Sequence, residues 1–288
     1  MPAPASILVG VDFSECSRSA LEHALRLGRA WSAPVNAVHV TEAPEPLASG
    51  DPTMGDSQRE ILRQLAMDAE GRWAATVHAL PGAAKVPFEV LGGSRLGGIR
   101  HALKQHAADL LVLGAYGETR PNVGLGTVAS GCIRGVSADV LVVRDAFSGP
   151  FRTVVAGVDF STTSRRALEA AAQVAEADGA MLYAVHVVRA ADGSAATQER
   201  LANAHGPALD AFVAESRLPA GLEVRREIFP YPGRRSGLLE FGAVVNADLV
   251  TIGTRGRTNL RDVVLGSTAE KLLRESLCAV WAAKPRED

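Results

Sequence analysis

Gly253-Thr254-Arg255-Gly256 is followed, after nine intervening residues, by Gly266-Ser267. Glycines so placed let a backbone pass close to a ligand, and a helix starting at the last pair offers free N–H groups to an anion. A hydrophobic run, Leu249–Ile252, precedes the pattern and a helix-like segment, Ala269 to Ser276, follows it, which is where a phosphate cradle would sit. Arg255, Arg257 and Arg261 surround the loop and complement a polyphosphate. A plainer reading stands beside this one. Ser267-Thr-Ala-Glu270 also spells a capping box, which needs no ligand.

A second copy lies upstream. Gly114-Ala-Tyr116-Gly117 leads to Gly126-Thr127 after only eight residues. Tyr116 and Glu118 stand where the later copy has arginines, Arg120 comes further on, and Pro121 stiffens the shortened loop. Asp12 and Asp159 each close a strand-like run and are followed by Phe-Ser. A carboxylate there can accept a hydrogen bond from a ribose hydroxyl or help hold a phosphate-bound Mg²⁺; alternatively it caps the next helix. No residue set is expected to ligate a metal directly, so Mg²⁺ would be carried through phosphates near Asp159.

Other candidates carry less. His39 and His186 end matching strands, where a single histidine reads as hydrogen-bonded core. His101 and His106 are five apart and so do not share a helical face. The chain has no His-Glu-x-x-His, no Gly-x-Ser-x-Gly and no cysteine–histidine pair close in sequence. Gly92-Gly-Ser-Arg-Leu-Gly-Gly98 reads as the loop between a third strand and its helix, and its counterpart Pro230–Gly237 is not similarly glycine-rich.

The elements that must position these residues occur twice. Ile7-Leu-Val-Gly-Val-Asp12-Phe-Ser14 returns as Val154-Val-Ala-Gly-Val-Asp159-Phe-Ser161, an offset of 147 that persists through Ala37-Val-His-Val40 and Ala184-Val-His-Val187. Ala108-Asp-Leu110 matches Ala247-Asp-Leu249. The junction falls at Asp145–Pro150, which predicts domains at 1–147 and 150–288. In the first half, strands are predicted at Ile7–Val11, Pro34–Val40, Val86–Leu91, Asp109–Leu113 and Val140–Val143. Their apolar runs are continuous, as when helices cover both faces of a parallel sheet. Ser17–Trp31 has helical periodicity, and Ile61, Leu65, Ala69, Trp73 and Val77 predict a core-facing helix stripe. Each half therefore reads as a doubly wound α/β domain of five parallel strands, with ligand sites expected beyond the strand ends.

Composition sets the bounds. The 288 residues suffice for two cores, and 47% hydrophobic with 22% charged residues is the balance of a globular protein. A formal charge of −2 argues against nucleic acid or an anionic membrane as partner. Cys16, Cys132 and Cys278 are sparse and odd in number, which suits a reducing cytoplasm, and no signal segment or membrane span is expected.

Taken together, these residues resemble the universal stress protein family in its tandem two-domain form. The family's ATP motif, Gly-x2-Gly-x9-Gly-[Ser/Thr], is met by Gly253, Gly256, Gly266 and Ser267. The late Cys-Pro-Val of the family appears as Cys278-Ala-Val280 and Ala138-Asp-Val140, without the proline. The resemblance implies adenine and ribose contacts at Gly157, Val158, Asp159 and the Val187 backbone. It implies phosphate contacts at Gly253, Thr254, Arg255, Gly256, Arg257, Thr258 and Asn259, and at Gly266, Ser267 and Thr268. In the first half the matching set is Gly10, Val11, Asp12, Val40, Gly114, Tyr116, Gly117, Arg120, Gly126, Thr127 and Val128, with the deletion bearing on its phosphate contacts. It also implies a sheet order of 3-2-1-4-5 and pseudo-two-fold pairing of the domains through Leu141–Val143 and Ala279–Trp281, which would hide two apolar edges. A homodimer is a further assembly it allows.

The expected function is a cytoplasmic ATP-binding stress-response or signalling factor without fast catalysis. The alternatives are a nucleotide-independent interaction protein on the same fold, or a slow ATPase. An enzyme of the wider adenine-nucleotide hydrolase group would show Ser-Gly-Gly-x-Asp-Ser after strand one, where Asp-Phe-Ser stands. A phosphate-accepting signalling domain would want paired acids there.

Overall fold

Continuous apolar runs become strands, buried on both faces in the middle of the sheet and only part-buried toward its ends. In the computed structural model, which describes residues 2–42, 56–117, 125–144, 149–255 and 265–285, these are β1 (Ile7–Gly10), β2 (Val35–Thr41), β3 (Phe88–Gly92) and β4 (Leu110–Gly114) of the first repeat. Then come β5 (Asp139–Val143), β6 (Thr153–Gly157), β7 (Met181–Arg189), β8 (Val224–Tyr231), β9 (Leu249–Gly253) and β10 (Ala279–Ala283). Helices α1 (Glu15–Trp31), α2 (Asp56–Ala79), α3 (Arg95–Gln105) and α4 (Thr127–Gly135) connect the first set. Helices α5 (Thr162–Asp178), α6 (Ala195–Ala214), α7 (Arg234–Val244) and α8 (Ser267–Glu275) connect the second.

The chain divides into two units by its contacts: residues 4–138 with 143–149, and residues 150–288 with 1–3 and 139–142. In the first unit the strand order is β3-β2-β1-β4, all parallel. In the second it is β8-β7-β6-β9-β10, all parallel, followed by β5. This is the expected 3-2-1-4-5 order. β5 runs antiparallel to β10, with Trp281 opposite Leu141 and Val280 opposite Val142, so the two apolar segments that would otherwise be edges cover one another.

Matched sequence gives matched local structure. Ser14 caps α1 by accepting from Ser17 N–H, and Ser161 caps α5 by accepting from Ser164 N–H. α1 ends at Ser32 and α5 at Gly179, both left-handed. α1 buries Ala20, Leu21, Ala24 and Leu27; α5 buries Ala167, Leu168, Ala171 and Val174. Small residues on these faces let each helix lie close to its sheet.

Two expectations need correction. The stripe from Ile61 to Val77 is not uniformly core-facing: Ala69 is buried, but Ile61 and Leu65 are 54% and 38% exposed. A strict four-residue spacing drifts around a helix of 3.6 residues per turn, so the beginning of the stripe leaves the core. The Gly92–Gly98 stretch is not all loop either, because Ser94 caps α3 through Gly97 N–H and the helix starts at Arg95.

Candidate functional site

The turn after the first strand of each repeat is built around an aspartate. Asp12 Oδ1 accepts from Ser14 N–H at 3.0 Å and from the Ser14 hydroxyl at 2.5 Å. Asp159 makes the same two bonds with Ser161, at 3.0 and 2.5 Å. The aspartate is thus not the helix cap, as one reading of the sequence had it; it holds the serine that is. Between them Phe13 and Phe160 take positive φ, 65° and 64°, an uncommon state for an aromatic residue.

Histidine stabilises that conformation. His39 Nδ1 donates to the Val11 carbonyl at 2.7 Å, and His186 Nδ1 donates to the Val158 carbonyl at 2.8 Å. A carbonyl can only accept, so Nδ1 carries the proton. Each imidazole lies against the strained phenylalanine, with ring centroids 4.9 Å apart for Phe13–His39 and 4.5 Å for Phe160–His186. The structural reading of these histidines holds.

The glycine motifs lie across the strand ends from these turns. Gly114 ends β4, and a Cβ there would come within 2.7 Å of Cys16 Cβ and 2.9 Å of Ser17 N. At Gly253, the end of β9, a Cβ would meet Thr163 side-chain and backbone atoms at 2.8–2.9 Å. These glycines therefore let the start of α1 or α5 approach the sheet, a requirement of packing before any ligand is considered. Gly117 differs, since a Cβ there would meet Asp12 Oδ2 at 2.7 Å. Its missing side chain makes room for the carboxylate.

Both glycine loops are closed by one backbone bond: Gly126 N–H to Ala115 O at 2.7 Å, and Gly266 N–H to Thr254 O at 2.9 Å. Thr254 is buried with both its hydroxyl, at 3.0 Å, and its N–H, at 2.9 Å, on Ala283 O, so both of its donors are committed within the fold. The Thr163 hydroxyl donates to the Arg255 carbonyl, and Ser14 Oγ lies 3.5 Å from the Tyr116 carbonyl at the matching place. The expected capping box at Ser267–Glu270 does not form. The helix begins at Ser267, Gly266 occupies the cap position, and no side chain caps it. α4 likewise starts after Gly126 without a side-chain cap. Both helix N-termini thus keep first-turn N–H groups that no capping side chain uses.

In the first unit these parts surround a cavity of about 730 Å³. Gly10, Val11, Asp12, Val40, Gly114, Tyr116, Gly117, Gly126, Thr127 and Val128 all line it; Arg120 of the expected set lies outside the described residues. In the second unit Gly157, Val158, Asp159 and Val187 stand at the ends of β6 and β7, with Gly253 and Arg255 at the end of β9 and Gly266, Ser267 and Thr268 at the start of α8. Gly256, Arg257, Thr258, Asn259 and Arg261 lie outside the described residues.

The cavity also takes in residues that the sequence did not assign to the site: Glu42, Leu65, Asp68, Arg72 and Arg95. Leu65, Asp68 and Arg72 share one face of α2, three and four residues apart, and Arg72 lies over the Phe13 ring at 4.5 Å. That i, i+3, i+7 spacing was present in the sequence, hidden beside the apolar stripe. Arg95 pairs with Glu42 at 3.3 Å.

Fold and cavity define a tandem, doubly wound α/β protein with a ligand-sized cleft beyond its strand ends. The profile of the universal stress protein family matches residues 5–144 and 150–284, and the chain belongs to that family. Among known relatives it is similar to Universal stress protein MJ0531 of Methanocaldococcus jannaschii, 28% identical over 142 residues that span 46% of this chain and 82% of that one. A universal stress protein from Archaeoglobus fulgidus shares the fold with a TM-score of 0.68 at 22% identity, over 97% of this chain and 98% of that one. A putative universal stress protein from Pseudomonas aeruginosa does so with a TM-score of 0.65 at 17% identity, over 99% and 94%.

Proposed function

We propose that this protein binds ATP beyond the strand ends of its α/β units and acts as a nucleotide-dependent stress-response or signalling factor without fast catalysis. The observation that carries the reading is the 730 Å³ cavity, which gathers Asp12, Val40 and the glycine-rich start of α4 from three separate stretches of chain. Its size lies within the usual range for small-molecule sites. The uncapped N-terminus of α4 supplies donors for phosphate oxygens. Asp12 has Oδ1 committed to Ser14 and turns Oδ2 toward Gly117 in the cavity wall, which suits a ribose hydroxyl.

Mg²⁺ would be carried by the phosphates, near Asp159. Among the described residues no three of His, Cys, Asp and Glu converge on a metal site, and a cation that keeps several waters needs few protein ligands. No described helix is long and apolar enough to cross a membrane; we assign the protein to the cytoplasm on its sparse cysteines. The test is equilibrium binding of ATP to protein freed of nucleotide, and absence of measurable affinity overturns the reading.

A second reading has its own observation. Because Gly114 and Gly253 are needed for helix–strand packing, the motif would persist in a nucleotide-independent interaction protein. Mass spectrometry of protein purified without added nucleotide separates the two: co-purified ATP or ADP supports the first.

A further inference from the structure

We propose that the Glu42–Arg95 pair reads the base in the first-unit cavity and makes that site prefer adenine to guanine. The inference rests on the nucleotide-binding reading above and names a specificity determinant within it. Glu42 follows β2 two residues after Val40, where the base is expected against the backbone, and Arg95 opens α3. The two side chains line the cavity from these separate elements and meet at 3.3 Å. Their elements are held together independently: a Cβ on Gly98 would strike Val40 at 2.8 Å, so the first turn of α3 lies directly on that part of β2.

The pair sets one acceptor beside a fork of donors. Adenine presents a matching edge, with the exocyclic amine as donor next to a ring nitrogen as acceptor. Glu42 would accept a hydrogen bond from the amine and Arg95 would donate one to the ring nitrogen. Guanine in the same pose sets a carbonyl oxygen where adenine carries its amine, so an acceptor would face the carboxylate. Two acceptors set against each other discriminate more strongly than a lost methylene, because guanine gains no hydrogen bond from the carboxylate and is repelled by it.

The internal duplication supplies the contrast. At the offset of 147 the second repeat carries Arg189 in place of Glu42, and Arg234 stands at the start of α7 as Arg95 does at the start of α3. An arginine in place of the carboxylate offers donors only, and donors suit the two acceptors on the guanine edge. Glu42→Arg thus gives the first site the residue of the second repeat and should erase its preference for adenine.

The experiment uses the full chain carrying Gly266→Asp, which puts a carboxylate where the second site would take phosphate and leaves the first site to be read. ATP and GTP are titrated separately by calorimetry into this protein, into the same protein with Glu42→Arg, and into it with Arg95→Gln. The expected result is a preference for ATP of at least about tenfold, the effect of one hydrogen bond to a charged group, which falls toward unity in Glu42→Arg. Arg95→Gln should weaken ATP more than GTP. Equal binding of ATP and GTP by the parent, or an ATP:GTP ratio unchanged by Glu42→Arg, overturns the inference and leaves the nucleotide reading standing. Failure of the parent and of the unsubstituted chain to bind either nucleotide overturns both. Both Glu42 and Arg95 are at least half exposed, so loss of fold is not the expected consequence of either change.

Discussion

Ser14 gives both its backbone N–H, at 3.0 Å, and its hydroxyl, at 2.5 Å, to one oxygen of Asp12. The same serine caps α1 by accepting from Ser17 N–H. The carboxylate is therefore held by the first turn of the helix it precedes, and its other oxygen is aimed by default. Asp159 and Ser161 repeat the arrangement. A residue fixed this way can act on a ligand without ordering itself at the moment of binding.

Substitutions at Asp12 and Asp159 separate the turn from the charge. Asparagine keeps an acceptor oxygen for the serine, so Asp12→Asn and Asp159→Asn should leave thermal stability within about 0.5 kcal/mol of the parent. If the carboxylate engages ribose or Mg²⁺, affinity for ATP should fall about tenfold at the altered site. Alanine removes the turn as well and should cost about 1–2 kcal/mol. Calorimetric titration alongside urea denaturation measures both, and an asparagine variant with parental affinity would show that the charge serves the fold alone.

The glycines divide into two kinds. Gly114→Ala and Gly253→Ala force a Cβ against the first residues of α1 or α5, and each should destabilise by about 1–3 kcal/mol. Among the described residues a Cβ on Gly266 would come no closer than 3.4 Å, to Thr254 O, and the residue has φ −58° and ψ 138° at the cap of α8. Aspartate is favoured at such a position, so Gly266→Asp should keep or slightly raise stability while its charge opposes phosphate. Denaturation midpoints that rank Gly266→Asp below Gly253→Ala would contradict this division.

Much of this was legible in the sequence because the chain states it twice. The Val-Asp-Phe-Ser turn and the histidine one strand later kept their offset, the glycine motif returned at a shorter one, Gly114 as Gly253 and Gly126 as Gly266, and strand order followed from the family they resemble. Hydrophobic periodicity read α2 less well, since residues spaced by four described a stripe that rotates out of the core and masked the Leu65–Asp68–Arg72 face. Glu42 and Arg95 were invisible for a different reason. They are far apart in sequence, Arg95 sits in a glycine-rich stretch that reads as a loop, and only the packing of α3 on β2 brings them together. The role of Gly114 and Gly253 in packing was hidden likewise, because a glycine's neighbour across the sheet is not written near it.

The histidines should behave as structural donors. His186→Phe keeps an aromatic ring against Phe160 but removes the Nδ1–H bonded to the Val158 carbonyl. Leaving that carbonyl unsatisfied should cost about 1–3 kcal/mol, and His39→Phe should cost a similar amount through Val11. Hydrogen exchange supplies a local check: protection of the Phe160–Ser164 amides should fall in His186→Phe. Parental protection there would mean that the phenylalanine holds its positive φ without the imidazole.

The buried carboxylate of Asp139 makes the strongest stability prediction. It is 2% exposed and accepts from Lys284 N–H at 2.8 Å, from Trp281 Nε1 at 3.3 Å and from the Arg166 guanidinium at 3.3 Å. Those donors come from the end of β10 and from α5, so one side chain at the start of β5 ties the antiparallel strand pair to the helix packed behind it. Arg166 also donates to the Lys284 carbonyl at 2.7 Å, which orients its guanidinium toward the carboxylate. Removing one partner of a buried pair leaves the other charge in a poor solvent. Asp139→Ala should therefore destabilise by about 3–5 kcal/mol, more than Arg166→Gln, whose shorter neutral side chain leaves Asp139 its bonds to Lys284 and Trp281. The double variant should cost less than the sum of the two, because the charges are then removed together. Urea denaturation of the four proteins closes the cycle, and strict additivity would show that the pair contributes no coupling to holding β5 in place.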